Sequence, residues 1–384
     1  MKSSKGNNPF VFGLTQKENA FTNRTEEINQ LHQLFSNNIN CILVSPRRWG
    51  KSSLVRECAK VLKNKEKKLQ FCFLDMFSVN SEQEFYQEFA TQLIKANTNK
   101  VQDVLSQTGT YFKKIVPKIS LGLSPESSVS LSFDWQDVQK HKSEILDLGQ
   151  KIAEQKKINL VVCIDEFQSL SRFDDPLQFQ RSLRAVWQNH DKVSYCLYGS
   201  KRNMMEHIFN NRKMPFYRFG EFIPLQKIEE KHWIPFIRKG FKTGDKNIST
   251  EHIKWIVEKM DCHPYYVQQL SYHVWNTTIE EVTQEILDEC LNRIIEHNAW
   301  MYEREVEGLS RTQLNLVKAI INKEEQLSSK YTLAKYDMGT SATVTKNKKI
   351  LEQNDVIIKQ NQQITMVDPV FVLWMKQRFD LNRY

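Results

Sequence analysis

The stretch Ile42-Leu43-Val44-Ser45-Pro46-Arg47-Arg48-Trp49-Gly50-Lys51-Ser52-Ser53-Leu54 decides the fold of this chain. A phosphate chain is bound by inward-pointing backbone N–H groups, the positive end of a helix, an ammonium group and a hydroxyl that ligates Mg²⁺. Here Gly50 permits close backbone approach, Lys51 can reach the β- and γ-phosphates, and Ser52 can ligate the metal. The stretch therefore predicts a nucleotide-binding loop; the alternative is a basic surface turn.

The sequence around this loop supports the nucleotide interpretation. Ser45 stands where the usual pattern G-x-x-x-x-G-K-[ST] has its first glycine, so the match is one residue short. Such a loop must follow a strand and precede a helix. Residues 40–44 form an apolar run typical of a buried strand, and residues 53–62 carry apolar side chains at helical spacing.

A second motif lies at residues 159–167, where an apolar run ends in Asp165-Glu166-Phe167. In a nucleotide site, Asp165 would complete the Mg²⁺ shell through Ser52 and water, and Glu166 would polarise the attacking water. The alternative is an acidic pair that caps the next helix. The distance from the phosphate loop favours the catalytic interpretation.

Five apolar segments predict an α/β fold with a parallel five-stranded sheet covered on both faces. They are residues 40–44, 70–75, 159–165, 193–200 and 216–223. Ligands of open α/β sheets bind at the carboxyl ends of the strands, so Ser45, Asp165 and Ser200 should line one crevice.

Helical periodicity predicts the elements between these strands. The first helix should start near Arg24, with Asn23 and Glu26 as a capping box, and end by residues 37–38. Residues 82–96 and 141–157 are two further helices. Residues 97–137 predict an inserted hairpin, with strands at 118–123 and 129–133; the alternative is a mobile loop.

The second half of the chain is predicted to be mainly helical. Residues 229–241, 250–260, 265–275 and 280–298 form a bundle with aromatic-rich faces. Helices at 311–322, 332–337 and 341–353, followed by strands at 356–358 and 363–367, predict a winged helix-turn-helix. We expect a disordered N-terminus (1–8), an ATPase core (9–226), a helical lid (227–305) and a winged helix domain (306–384).

Composition narrows the class of protein. The 384 residues carry a net charge of +9, spread along the chain, which fits either a generally basic surface or attraction to nucleic acid. No apolar run could span a membrane, the N-terminus lacks the apolar core of a secretory signal, and seven scattered cysteines resemble buried reduced thiols. We expect a cytoplasmic protein. Its histidines are too widely spread for a metal cluster, and no protease, nuclease or methyltransferase constellation is present.

These motifs together resemble the archaeal-type ATPase family, including its bacterial members, in the AAA+/STAND branch of P-loop ATPases near the Orc1/Cdc6-like proteins. The resemblance is carried by residues 46–52, the strand ending in Asp165-Glu166-Phe167-Gln168, Tyr198-Gly199-Ser200 and His263-Pro264-Tyr265-Tyr266. It covers roughly residues 9–380. It implies a P-loop NTPase of AAA+/ASCE type, followed by a helical lid and a C-terminal winged helix that ends near 368–374.

The resemblance also implies roles for individual residues. Lys51 and Ser52 bind the phosphates and Mg²⁺, Asp165 is the second metal residue, Glu166 the catalytic base, and Ser200 the sensor of the γ-phosphate. Arg218, at the start of the fifth strand, is a candidate arginine finger; the alternative is a surface arginine. The expected nucleotide-binding residues are Phe21, Arg24, Pro46, Arg47, Arg48, Trp49, Gly50, Lys51, Ser52, Ser53 and Pro264. Besides Ser45, Cys262 departs from the family pattern, because a glycine usually precedes the His-Pro pair.

Three functions remain open from the sequence. The first is an ATP- and Mg²⁺-dependent ATPase that acts as a conformational switch, in which the γ-phosphate bridges Lys51, Ser200 and the lid. The second is a regulator whose winged helix binds duplex DNA under nucleotide control, through Thr343, Lys346, Lys348 and Lys349. The third is a STAND-like scaffold that binds ATP with little turnover. A protein client and a homo-oligomer are further partners that the sequence allows.

Overall fold

A computed structural model describes residues 7–13, 23–97, 120–123, 129–132, 139–360 and 363–381. The chain forms two compact units. The core unit comprises Arg24–Arg47 and Lys51–Leu225, and the C-terminal unit comprises Met1–Asn23, Arg48–Gly50 and Gln226–Tyr384. Three residues of the predicted phosphate loop thus belong with the C-terminal unit.

The core unit alternates strands and helices. In chain order its elements are α1 (Thr25–Ser36), β1 (Cys41–Val44), α2 (Lys51–Lys65), β2 (Leu69–Asp75), α3 (Glu82–Asn97), β3 (Ser120–Leu123), β4 (Val129–Ser132), α4 (Lys142–Leu146), α5 (Leu148–Lys156), β5 (Asn159–Asp165), α6 (Pro176–Trp187), β6 (Val193–Gly199), α7 (Arg202–Asn210) and β7 (Glu221–Pro224). Short 3₁₀ helices, Met76–Ser78 and Phe167–Arg172, follow β2 and β5.

The predicted five-stranded parallel sheet is confirmed. Its strand order is β2-β5-β6-β1-β7, and every neighbouring pair is parallel. The register pairs Asp75 with Asp165 and Val44 with Gly199, so these strands end at one edge of the sheet. The sheet buries nearly every residue of β1, β5 and β6 because helices cover both of its faces.

Aromatic side chains pack tightly on one face of this sheet. Phe85 and Phe89 of α3 are buried, and Phe89 stacks on Trp187 with ring centroids 5.9 Å apart. Trp187 also stacks on Tyr195 of β6 at 4.1 Å. Burying side chains of this size contributes about 1.5–3 kcal/mol each, so this cluster is a main source of stability for the unit.

Three local predictions about the core unit are wrong. Arg24, not Asn23, precedes α1; both residues have a positive φ, whereas a capping side chain needs an extended backbone, and no capping box forms. The helix expected at 141–157 breaks at Asp147, whose carboxylate pairs with His190 at 3.2 Å. Residues 216–220 are turn, so the fifth strand begins only at Glu221.

The inserted segment is partly described. β3 and β4 pair in antiparallel fashion, as predicted, and form a two-stranded sheet separate from the main one. The rest of the expected insertion lies largely outside the described residues.

The C-terminal unit is mainly helical. Its elements are α8 (Glu230–Lys242), α9 (Thr250–Lys259), α10 (Pro264–Thr277), α11 (Gln284–Glu307), α12 (Arg311–Ile321), α13 (Lys330–Lys335), α14 (Ser341–Gln353), β8 (Ile357–Gln360), β9 (Gln363–Met366) and α15 (Pro369–Arg378). One continuous apolar core, from Trp233 of α8 to Met375 of α15, joins the bundle to the last helices.

The winged helix-turn-helix is confirmed within this unit. Helices α12, α13 and α14 precede an antiparallel ribbon, in which Ile357 pairs with Met366. The ribbon is followed by α15, a helix that the sequence reasoning did not assign; Pro369 opens it and Asp368 caps it. Within the described residues, no helix is both long and apolar enough to cross a membrane.

Candidate active site

The loop between β1 and α2 holds a buried lysine. Lys51, the first residue of α2, is only 6% exposed, and its ammonium donates to the carbonyl oxygens of Ser45 at 2.9 Å and Pro46 at 3.2 Å. Ser45 is also buried, and its hydroxyl donates to the Pro46 carbonyl at 3.1 Å. The ammonium therefore lies at the N-terminus of α2, where phosphate oxygens are favourable acceptors.

Gly50 has the backbone conformation that this loop requires. Its φ is +90°, which side chains rarely tolerate, and no atom lies within 4 Å of the position that a Cβ would take. Open space beside the backbone is what the close approach of a phosphate chain needs.

The predicted metal pair is in direct contact. The Ser52 hydroxyl donates to Oδ2 of Asp165 at 2.6 Å, although the two residues are 113 positions apart in the chain. Burial raises the pKa of Asp165 from 3.8 to about 6; Glu166 also raises it, while the hydrogen bond from Ser52 and the charge of Lys51 oppose the shift. A buried carboxylate that resists ionisation is stabilised by a cation beside it.

Glu166 lies next to this pair and is held by two other residues. Its backbone is left-handed, with φ +50°, and its N–H donates to Oδ1 of Asp165 at 2.8 Å. The Ser200 hydroxyl donates to Oε2 of Glu166 at 2.9 Å, and the Nε2 amide of Gln168 donates to the same oxygen. Backbone strain of this kind recurs at active sites.

These groups suit a magnesium-bound nucleotide. Mg²⁺ takes oxygen ligands and is commonly held by one or two carboxylates together with substrate phosphates. Ser52 and Asp165 offer a hydroxyl and a carboxylate, and Lys51 offers a cation for the phosphates. No group of three or more His, Cys, Asp or Glu side chains among the described residues could hold a metal ion. Ser52 and Asp165 therefore suit a Mg²⁺ ion that is bound together with the phosphates of a nucleotide.

The tip of the loop packs within the C-terminal unit. Trp49 is 1% exposed and lies edge-on to His263, with ring centroids 6.3 Å apart. The Arg48 guanidinium lies 4.5 Å from the centre of the Tyr265 ring. Pro264, one of the expected nucleotide-binding residues, is the first residue of α10 and lies between His263 and Tyr265 in the sequence.

Two further expected site residues, Arg218 and Arg24, lie within the described residues. Arg218 is exposed in a turn, with φ +53° and its guanidinium 5.3 Å from the Tyr217 ring centre, so its predicted place at the start of a strand is wrong. Arg24 is buried at the start of α1 and pairs with Glu27 at 2.6 Å. Phe21 lies outside the described residues.

The remaining loop residues differ in exposure. Arg47 is exposed, whereas Pro46 and Ser53 are buried. The described contacts therefore bring together Lys51 with its loop, Ser52 with Asp165, and Glu166 with Ser200. They do not bring Arg218 into this group.

The candidate DNA-contacting residues lie on α14, the third helix of the winged domain. Lys346 and Lys349 are exposed, whereas Thr343 and Lys348 are half-buried. Asn347 is turned inward, and its Nδ2 donates to the Thr312 hydroxyl at 3.0 Å. The exposed charged side chains of α14 are thus lysines.

Sequence reasoning missed the part that Gln168 takes in the site. Gln168 follows Glu166 by two residues, in the 3₁₀ helix after β5, and is 3% exposed. The signal that could have identified Gln168 is its position two residues after Glu166 in the Asp-Glu-Phe-Gln sequence. A 3₁₀ turn after the strand brings the side-chain amide of Gln168 back to Glu166.

The fold and the site define an α/β domain of the P-loop type, followed by a C-terminal winged helix. A family described as an ATPase domain predominantly from Archaea matches residues 21–270, more than half of the chain, and the chain belongs to this family. A family described as a probable winged helix domain matches residues 300–377. Among curated proteins, no relative matches.

Two solved structures show the same fold. A Walker-type ATPase of Pyrococcus abyssi matches with a TM-score of 0.64 at 16% identity, over 94% of this chain and 97% of that one. The Orc2 protein of Aeropyrum pernix matches with a TM-score of 0.57 at 12% identity, over 95% of this chain and 98% of that one. At these identities the likeness concerns the fold.

Proposed function

We propose that this protein binds ATP with Mg²⁺, hydrolyses it, and acts as a nucleotide-driven conformational switch. The observation that carries the proposal is the 2.6 Å hydrogen bond between Ser52 and Asp165, with Glu166 beside it. Membership of the ATPase family supports the proposal. The similar Aeropyrum pernix protein was solved as ADPNP and ADP complexes, which agrees with a nucleotide at this place.

Each residue has a distinct part in the proposed reaction. Lys51 binds the β- and γ-phosphates, and Ser52 and Asp165 hold Mg²⁺, which neutralises charge on the phosphates when bound. Glu166 orients the attacking water and accepts its proton. Ser200, in contact with Glu166, is placed to respond to the γ-phosphate.

The proposed switch is supported by the way in which the phosphate loop is divided between the two units. Residues 48–50 pack among residues of the C-terminal unit, where Trp49 contacts His263 and Arg48 contacts Tyr265. Lys51 follows directly in the chain and belongs to the core unit. Gly50 alone separates Lys51 from Trp49 in the chain, so we propose that a change in phosphate contacts at Lys51 on hydrolysis alters the packing of Trp49 and Arg48.

The binding and hydrolysis roles are separable by mutation. Lys51→Ala should weaken ATP binding at least roughly 10- to 100-fold, since a charge-assisted contact is lost. Glu166→Gln should keep ATP binding and lower turnover about 10²- to 10⁴-fold. Lys63→Ala, an exposed lysine near the end of the same helix, is the matched control and should change neither.

Calorimetric titration with ATP and a phosphate-release assay measure the two effects. Tight ATP binding by the Lys51→Ala variant would refute the phosphate-loop assignment, and normal turnover by Glu166→Gln would refute the base role. Wild-type protein that binds ATP tightly without turnover would favour the scaffold function, and would draw attention to Ser45.

We propose duplex DNA as a second candidate function of the winged domain, because exposed Lys346 and Lys349 lie on α14. The sequence of α14 contains no arginine, so the expected binding is mainly to phosphates. Lys346→Glu with Lys349→Glu should weaken DNA affinity and reduce the slope of its salt dependence by about 2. The matched control is Lys242→Glu with Lys254→Glu, two exposed lysines of α8 and α9. Equal effects of the two pairs would contradict a specific role for α14.

A further inference from the structure

We propose that Gln168 is a positioning residue for hydrolysis: together with Ser200 it fixes the orientation of the Glu166 carboxylate. This inference rests on the proposed function, because it takes Glu166 as the base. It adds a residue to which the sequence reasoning assigned no role, and it states what that residue does to the base.

The first observation is that both hydrogen bonds converge on one oxygen. The Nε2 amide of Gln168 and the hydroxyl of Ser200 donate to Oε2 of Glu166, and neither of them donates to Oε1. The amide orientation is determined, since an ionised carboxylate accepts hydrogen bonds and only the NH₂ group of Gln168 can donate one. Oε1 is therefore the oxygen that this arrangement leaves for the attacking water.

The second observation is that the two donors come from different parts of the sheet edge. Gln168 lies in the 3₁₀ helix after β5, and Ser200 follows β6 directly. These strands are neighbours with a parallel register. Two donors on separate elements restrict rotation of the carboxylate more than two donors on one loop, because they do not move together.

The third observation is that the side chain of Gln168 lies directly against the backbone of Gly199. A Cβ added to Gly199 would lie 1.8 Å from Oε1 of Gln168 and 3.0 Å from its Cδ. The end of the glutamine side chain thus passes over the last residue of β6, close enough that an added Cβ would force the amide to move. A larger residue at 199 would displace the amide from Glu166.

The fourth observation is that burying the side-chain amide of Gln168 destabilises the folded state. Gln168 is 3% exposed, and within the described part of the chain its Oε1 meets no hydrogen-bond donor. Burying an amide carbonyl without a partner is unfavourable, and an apolar side chain of similar length would avoid that cost. The amide is therefore best explained by what its NH₂ group does for Glu166.

The mechanistic consequence concerns the rate of the chemical step. Glu166 has a strained backbone, with φ +50°, and it must present one oxygen to water at the correct angle. Without Gln168, Ser200 alone holds the carboxylate, which can then rotate away from the water. Nucleotide binding depends on Lys51 and the Ser52–Asp165 pair, so it should be little affected.

The test is Gln168→Met, which keeps the length of the side chain and removes the donor. We expect kcat for ATP to fall roughly 10- to 100-fold, since a hydrogen bond to a charged group is lost, with KM within about 3-fold. Gln180→Met is the matched control: Gln180 is also 3% exposed and lies on α6 of the same unit, outside the set of residues assigned to the site. It should leave kcat within about 2-fold.

A second readout separates positioning from packing. In a Glu166→Gln background, Gln168→Met should cause no further loss of the residual turnover, because the group it positions is already disabled. Gln168→Leu replaces Gln168→Met if the latter does not fold.

The outcomes are distinguishable. An unchanged kcat in Gln168→Met, or equal losses in Gln168→Met and Gln180→Met, overturns this inference and leaves the proposed function intact. A further loss in the Glu166→Gln background also overturns it. Wild-type protein without turnover overturns the proposed hydrolysis and this inference with it.

Discussion

Two residues stand where glycine is usual in the family, and their backbones differ. Cys262, before the His263-Pro264 pair, has φ +55°, the left-handed conformation that favours glycine. Ser45, at the start of the phosphate loop, has no positive φ and buries its side chain in a hydrogen bond. The backbone conformation therefore favours a glycine at position 262, whereas at position 45 it does not.

We expect these two positions to respond oppositely to glycine. Cys262→Gly should raise the free energy of unfolding by about 0.5–1 kcal/mol, because relief of strain exceeds the extra entropy of the unfolded chain. Ser45→Gly should lower it by about 0.5–1 kcal/mol, since entropy is lost without relief. Urea unfolding of both variants measures the difference. Destabilisation by Cys262→Gly would show that the left-handed backbone is not strained.

Asp165 should make stability depend on pH. Its folded pKa of about 6 lies above the ordinary 3.8, so the folded protein binds more protons than the unfolded chain between these values. Stability therefore falls as pH rises from about 4 to 6, and the cost persists above that range. At pH 8 Asp165→Asn should be more stable than wild type by about 3 kcal/mol, and near pH 4 the difference should largely vanish. Urea unfolding at the two pH values checks this, and a difference independent of pH would contradict it.

At the scale of elements, α15 is attached to the rest of its unit through its capping residue. Oδ1 of Asp368 accepts the backbone N–H groups of Val370 at 2.8 Å and Phe371 at 3.0 Å. Oδ2 accepts the hydroxyls of Tyr266 from α10 and Tyr302 from α11, the latter at 3.1 Å. One carboxylate thus joins the last helix to two helices of the bundle.

Asp368→Ala should therefore cost more than the loss of an ordinary cap. The cap itself contributes about 1 kcal/mol, and two partly buried tyrosine hydroxyls lose their acceptor, so we expect a total loss of about 3 kcal/mol. Thr340→Ala, which removes the exposed cap of α14, is the control and should cost about 1 kcal/mol. Urea unfolding compares them; equal losses would mean that the tyrosine contacts contribute nothing.

At the scale of the whole molecule, nucleotide and metal should stabilise the fold jointly. A ligand that binds only the folded state, at a concentration 100 times its Kd, stabilises by about 2.7 kcal/mol. Mg²⁺ with a non-hydrolysable ATP analogue should therefore raise the Tm, and EDTA should remove most of the increase. The Lys51→Ala variant should show a clearly smaller increase, because its affinity for the nucleotide is lower. Stabilisation of that variant equal to wild type would place the nucleotide elsewhere on the molecule.

The elements of the fold could largely be predicted because their signals are local. The apolar run of β1, the Gly50-Lys51-Ser52 loop and the start of α2 are consecutive, and the run ending at Asp165 is equally self-contained. Short-range errors occurred where the backbone is left-handed, at Asn23 and Arg218, because side-chain type alone does not report φ.

The sequence by itself therefore determined the Gly50-Lys51-Ser52 loop motif, the acidic strand end, the five strands apart from the start of β7, and helices α12 to α14. Only the tertiary structure decided the strand order, which brings Ser52 to Asp165 across 113 positions and Ser200 to Glu166 across 34. It also decided that Asp368 meets two tyrosines and that Gln168 passes over Gly199. Periodicity reports which face of an element is buried, whereas contacts between distant residues depend on register and packing.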